Sequence, residues 1–292
     1  MALARQVAAI YVRNANVQAI IVMGSAAEGH ADFYSDLDMS VYYTELPSDA
    51  ELEAARQQTR GAQRDWLLGD REAGAMAESY PIDGVECQIV HVTIAAWERD
   101  MATVLEQCDV TTPLQKALSG ILTCIPLYGE PLVQEWKAKA EDYPAKLAQA
   151  MVAHYLNFVP VWSKPERFLD RDGALWMHQI LVDAEYNLIG ILAGLNRLYY
   201  SLFQFKRMDA FLNRMEIAPP DLSNRLKRLL TSTPPVMVAE LKALVNETVD
   251  LVECHMPSID TTQMRRQLGT RQQEWKRKAQ WRQEKPLCDS NL

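Results

Sequence analysis

No uninterrupted apolar run in this 292-residue chain approaches the roughly 18 residues that a membrane span needs. Cysteine is scarce and poorly placed for bridges or zinc: Cys87, Cys108, Cys124, Cys254 and Cys288 are odd in number and nowhere closely paired. They read as reduced thiols. The stretch from Met1 to Asn14 lacks the continuous apolar core and cleavage pattern of a secretory signal and reads as an amphipathic helix. Together these absences predict a cytoplasmic protein with no membrane partner. Positive charge is short as well, with 30 Lys and Arg against 38 Asp and Glu and a formal net charge of −8. That argues against a general nucleic-acid binder. Neither an internal repeat nor a long low-complexity tract is present. Hydrophobic content, at 48%, is ample for packed cores.

The most informative stretch runs from Ile20 to Tyr43. The apolar run Ile20-Ile21-Val22-Met23 delivers Gly24-Ser25, and about ten residues later Ser35-Asp36-Leu37-Asp38 opens a second apolar run, Met39 to Tyr43. Strand side chains alternate between faces, so Asp36 and Asp38 point the same way, with Cα atoms roughly 6–7 Å apart. Two carboxylates at that distance can share a divalent cation. A Gly-Ser turn brings free backbone N–H groups to the same end of the sheet, where a phosphate can sit. Hard carboxylate oxygens beside a phosphate-cradling turn suit magnesium-assisted phosphoryl or nucleotidyl transfer. The plainer alternative is a hairpin whose Asp residues cap turns.

In order and spacing these residues resemble the minimal nucleotidyltransferase signature, found in DNA polymerase beta, the antibiotic nucleotidyltransferases and several tRNA- and protein-modifying enzymes. The resemblance places Gly24, Ser25 and Ser35 at the nucleotide and Asp36 and Asp38 at Mg2+. It also implies a third acidic residue from a neighbouring strand. Val85 to Val92, entered through a turn at Pro81-Ile82-Asp83-Gly84, is the next strong strand pattern. Glu86 stands at its head, an expensive place for an unpaired charge. Glu86 is therefore expected as third metal ligand or as catalytic base, with Asp83 left to the turn.

Helix and strand signals alternate at first: a helix to about residue 14, strands 17–23 and 37–43, a helix 48–67, strand 85–92, a helix 94–107 and an apolar piece 120–128. Tyr128-Gly129-Glu130-Pro131 closes this part. Helical patterns then take over at 132–141, 144–160, 171–204, 207–215, 220–231 and 235–256, with Asp170-Arg171-Asp172-Gly173 offering an Asp N-cap for the long one. The expected fold is an α/β nucleotidyltransferase domain over residues 1–135, a mixed sheet with flanking helices, followed by an all-α helical bundle over 136–292.

In the long helical pattern, Trp176, Asp183, Asn187, Gly190, Gly194 and Arg197 share one stripe. Close packing of another helix against the glycines is one explanation. The other is that the stripe closes the active-site cleft, with Asp183 or Glu185 as general base or acceptor-binding carboxylate and Arg197 and Lys206 near the triphosphate. This half resembles, in outline, the streptomycin/spectinomycin adenylyltransferases, whose helical domain offers a carboxylate, an Arg and a Lys. The resemblance implies NMP transfer from ATP or another NTP to a small hydroxylated acceptor such as an aminoglycoside or lincosamide. The acidic composition suits a cationic acceptor. RNA or protein is the alternative acceptor, supported by the basic, Trp-bearing stretch from Arg265 to Lys285. A non-catalytic module of the same fold is the alternative outside enzymology. Nothing in the sequence sets an oligomeric state.

Overall fold

The computed structural model describes residues 1–163, 165–169, 171–202 and 205–269. Its first half carries α1 (Ala2–Tyr11), β1 (Val17–Val22), α2 (Gly24–Ala27), β2 (Leu37–Tyr43), α3 (Asp49–Gln58), β3 (Trp66–Asp70), β4 (Ala75–Ile82), β5 (Val85–Thr93), α4 (Ile94–Leu105), α5 (Leu114–Thr123) and β6 (Ile125–Tyr128). The second half is helical: α6 (Glu130–Glu141), α7 (Ala145–Tyr155), α8 (Glu166–Leu169), α9 (Ala174–Leu195), α10 (Met208–Leu212), α11 (Leu222–Thr231), α12 (Pro234–His255) and α13 (Thr262–Gly269).

The six strands form one mixed sheet in the order β3-β4-β5-β2-β1-β6. β2 and β5 pair in parallel, and the other neighbours are antiparallel. Alternation decides which face each residue serves. Leu37, Met39, Val41, Cys87 and Ile89 are buried with Ala4, Val7 and Leu52 from α1 and α3. On the other face, Tyr42 and Val92 join Trp97 and Trp136 in a cluster that continues through α7, α9 and α12 to Leu268. That apolar core is continuous from the sheet into the helices.

The helix expected over 48–67 starts as anticipated, with Ser48 and Glu51 forming a capping box, but ends at Gln58. Arg60 takes a left-handed backbone, and 66–70 pairs as an edge strand with β4. Neither β3 nor β4 was legible, because exposed edge residues and a Glu-Ser-Tyr-Pro stretch carry no clean alternation. The buried Glu78 within β4 is offset by Arg64 at 2.8 Å and His91 at 3.2 Å. The helix expected over 171–204 spans only Ala174–Leu195, with Gly173 and no side-chain cap at its N-cap position; Asp172 takes a left-handed backbone just before it, and Asp170 lies outside the described residues. The apolar piece 120–128 proves to be the end of α5 and all of β6. Among the described residues, no helix is long and apolar enough to cross a membrane.

Candidate active site

The parallel register sets Asp38 opposite Gln88 and Leu37 opposite Cys87. The antiparallel register of β4 adds Ser79 opposite Gln88 and Pro81 opposite Glu86. Directly paired residues share a face, so Ser79, Glu86, Gln88 and Asp38 lie on one side, with Asp36 in the same parity just before β2. The intervening residues are locked in the core on the other side. A one-residue slip would therefore bury both carboxylates and expose the apolar set.

Hydrogen bonds tie this face together. The Gln88 amide donates to Asp36 Oδ2 at 2.9 Å and to Glu86 Oε1 at 3.1 Å, and Ser79 Oγ donates to the same Glu86 oxygen at 3.0 Å. Glu86 thus stands one amide away from Asp36. It is exposed, so the burial cost expected at the strand head is not incurred.

Gly24 is built into the site. The Met23 N–H donates to the Asp38 carbonyl at 3.0 Å, which brings the chain after β1 level with Asp38. Gly24 then takes φ +64°, and a Cβ there would overlap Asp38 Oδ2. Only a residue without a side chain admits the carboxylate at that spot. Beside it, Ser25 Oγ is buried without a hydrogen-bond partner among the described residues, while Ser25 C=O accepts from His30 N–H at 2.9 Å. Ser35 serves the turn instead: its hydroxyl donates to Asp32 Oδ1 and accepts from Asp32 N–H, both at 2.9 Å.

Burial, and then the adjacent Asp36, push the Asp38 carboxyl up to about 6, against the pull of Lys116 and Lys206, with Glu86 adding to the rise. Lys116 comes from α5. It keeps access to solvent, yet partial burial lowers its pKa, aided by Lys206 and opposed by Asp38 and Asp36. Lys116 and Lys206 therefore both act on Asp38, and Lys206 acts on Lys116, beside Asp36 and Glu86. Lys206 was expected at the site. Lys116 and Gln88 were not. The hint for Lys116 was Gly120 one helical turn further on, a small residue where α5 meets Met23, but α5 itself went unread.

Asp183 is exposed on α9 and accepts from Gln179 at 2.8 Å. Glu185 is buried, its Oε1 without a partner among the described residues, and burial pushes its carboxyl up to about 7. Arg197, exposed just past α9, acts on the Tyr143 hydroxyl. The two glycines of the stripe are explained by packing: a Cβ on Gly190 would sink into the Tyr155 ring, and one on Gly194 would lie 2.9 Å from Met151 Cβ. Its glycine face is thus filled by α7 and does not line a cleft.

Among the described residues, no group of three or more His, Cys, Asp or Glu side chains is arranged to hold a metal ion by itself. Mg2+ is commonly held by one or two carboxylates together with substrate phosphates and water. Asp36 and Asp38 fit that role, and a cation would relieve the repulsion that raises Asp38.

No family model matches the chain, and no curated protein matches it. Among solved structures it is similar to a nucleotidyltransferase-like protein from Exiguobacterium sibiricum 255-15, with a TM-score of 0.43 and 10% identity over 89% of this chain and 80% of that one. A likeness that loose assigns neither residues nor activity.

Proposed function

We propose that the chain is a magnesium-dependent nucleotidyltransferase that moves a nucleoside monophosphate, AMP foremost, from an NTP to a hydroxyl of a small acceptor. The observation that carries this reading is the seating of Asp38 against the side-chain-free Gly24, next to Asp36 and the unpartnered Ser25 hydroxyl. Asp36 and Asp38 would hold Mg2+, which when bound neutralises charge on the triphosphate and on the departing pyrophosphate.

The protein groups then have separable tasks. Ser25 Oγ donates to a phosphate oxygen, satisfying a hydroxyl that burial has cut off from water. Lys206 offers its charge to the phosphates, whereas Arg197 sits beside Tyr143. Glu86 is the candidate base: it belongs to the group of charges acting on Asp38, it is solvent-accessible, and Gln88 and Ser79 fix one of its oxygens. It would take the acceptor hydroxyl's proton as that oxygen bonds to the α-phosphorus and the bond to the β-phosphate oxygen breaks. Asp183 and Glu185, the alternative bases, are not among the groups that act most strongly on Asp38. A cationic acceptor such as an aminoglycoside suits the net charge of −8; a lincosamide fits the same chemistry.

Pyrophosphate release from each of the four NTPs with Mg2+, against a panel of aminoglycosides and lincosamides, tests the proposal. Acceptor-dependent release is expected, and Asp38→Asn should abolish it in a chain that remains folded. Activity retained in that variant would sink the metal assignment. Silence across the panel with NTP binding intact would move the acceptor to a macromolecule.

A further inference from the structure

Lys116 has no place in the Gly-Ser and Asp-x-Asp pattern, yet it acts on Asp38 as Lys206 does. Its position follows from packing. Gly120 lies against Met23, with a Cβ there only 3.2 Å from Met23 Sδ, and Met23 is level with Asp38. Lys116 is one turn earlier on α5, on the same side of the helix as Gly120. Lys206 arrives from the other half of the chain, between α9 and α10. The next residue, Arg207, donates to the His30 carbonyl at 2.7 Å and acts on Asp32. It ties the segment carrying Lys206 to the loop that joins Gly24-Ser25 to Asp36.

Charge balance suggests what such a pair would hold. Against Asp36, Asp38 and Glu86, the two lysines leave one negative charge in excess at neutral pH. A single divalent cation reverses that sign, so the loaded site calls for an anion. Two ammonium groups and the unpartnered Ser25 hydroxyl offer it several donors.

We propose that Lys116 and Lys206, one from each half of the chain, clamp the β- and γ-phosphates of the incoming NTP, and that Arg207 is a positioning residue that sets Lys206 through the His30 carbonyl. This rests on the nucleotidyltransferase reading and adds a phosphate ligand that the motif does not contain.

Calorimetric titration of the full chain with pyrophosphate in Mg2+, with AMP as control, tests the clamp. Lys116→Met and Lys206→Met are each expected to weaken pyrophosphate about tenfold or more and to leave AMP within about twofold. Lys116→Arg should restore most of the loss. Arg207→Ala should weaken pyrophosphate as Lys206→Met does, and the Lys206/Arg207 double variant should lose little more, because the two act as one unit. A Lys116→Met protein with wild-type pyrophosphate affinity, or a wild-type chain that binds no pyrophosphate, overturns the clamp. Lysine-dependent pyrophosphate binding without NTP turnover on any acceptor would uphold the clamp and remove the transferase reading. Turnover with an unchanged KM for NTP in Lys116→Met would do the reverse.

Discussion

Asp38 is kept reluctant to ionise by burial and by Asp36, with its carboxyl pushed up to about 6. A carboxyl raised above its unfolded value binds protons more readily in the folded chain. Its contribution to stability is therefore present at low pH and is lost as pH rises from the ordinary carboxylate range through about 6. Asp38→Asn should accordingly stabilise the metal-free protein at pH 8, by on the order of 1–3 kcal/mol, with no gain at pH 4. Urea unfolding at the two pH values reads this directly; an equal effect at both would mean that ionisation is not the cause. Gly24 is the complementary case. Gly24→Ala combines a left-handed φ with overlap on Asp38 Oδ2, and should cost about 1–3 kcal/mol while removing NTP turnover. Thermal unfolding and pyrophosphate release check both halves of that expectation. Position 24 was recognisable from sequence, because a Gly after an apolar run marks a turn. The contact that makes it indispensable was not, since it depends on a residue fourteen positions later.

The elements succeeded or failed as sequence signals according to how local their causes are. β2 falls on the expected residues because one face, Leu37, Met39, Val41 and Tyr43, is continuously apolar, and the Asp83-Gly84 turn declares itself through two residue types that tolerate the positive φ both adopt. β3 and β4 depend on each other and on β5 for pairing, so neither carries a signal alone. In α9 the polar and glycine stripe was visible, but its partner was not: Gly190 and Gly194 exist to admit α7. Gly190→Ala should therefore cost about 1–3 kcal/mol from overpacking without changing pyrophosphate affinity. Chemical denaturation paired with calorimetry separates the two quantities. Weakened anion binding at unchanged stability would return this stripe to the cleft.

Across the whole molecule, one face of the sheet shares a core with the helices of the second half, and that core closes at α13. Met264 and Leu268 are buried in it, the Trp162 indole donates to the Gln267 carbonyl at 3.1 Å, and Arg265 pairs with Glu253 at 2.6 Å and with Asp250. A chain ending at residue 261 should be less stable than one ending at 269 by roughly 2–5 kcal/mol, as measured by the difference in their urea midpoints. Equal midpoints would place α13 outside the cooperative unit. The basic stretch noted in the sequence begins within α13, where Arg265 is committed to ion pairs; Trp275 and Trp281 lie outside the described residues. By itself the sequence determined the parity of Asp36 and Asp38, the turn before them and the helical character of the second half, because alternation and 3.6-residue periodicity are properties of a few consecutive residues. The tertiary structure alone decided that Gln88 links two carboxylates, that Lys116 and Lys206 both act on Asp38, and that Gly190 and Gly194 of α9 face α7. Each of these depends on parallel pairing or helix packing between segments dozens of residues apart, and no local pattern encodes where such segments meet.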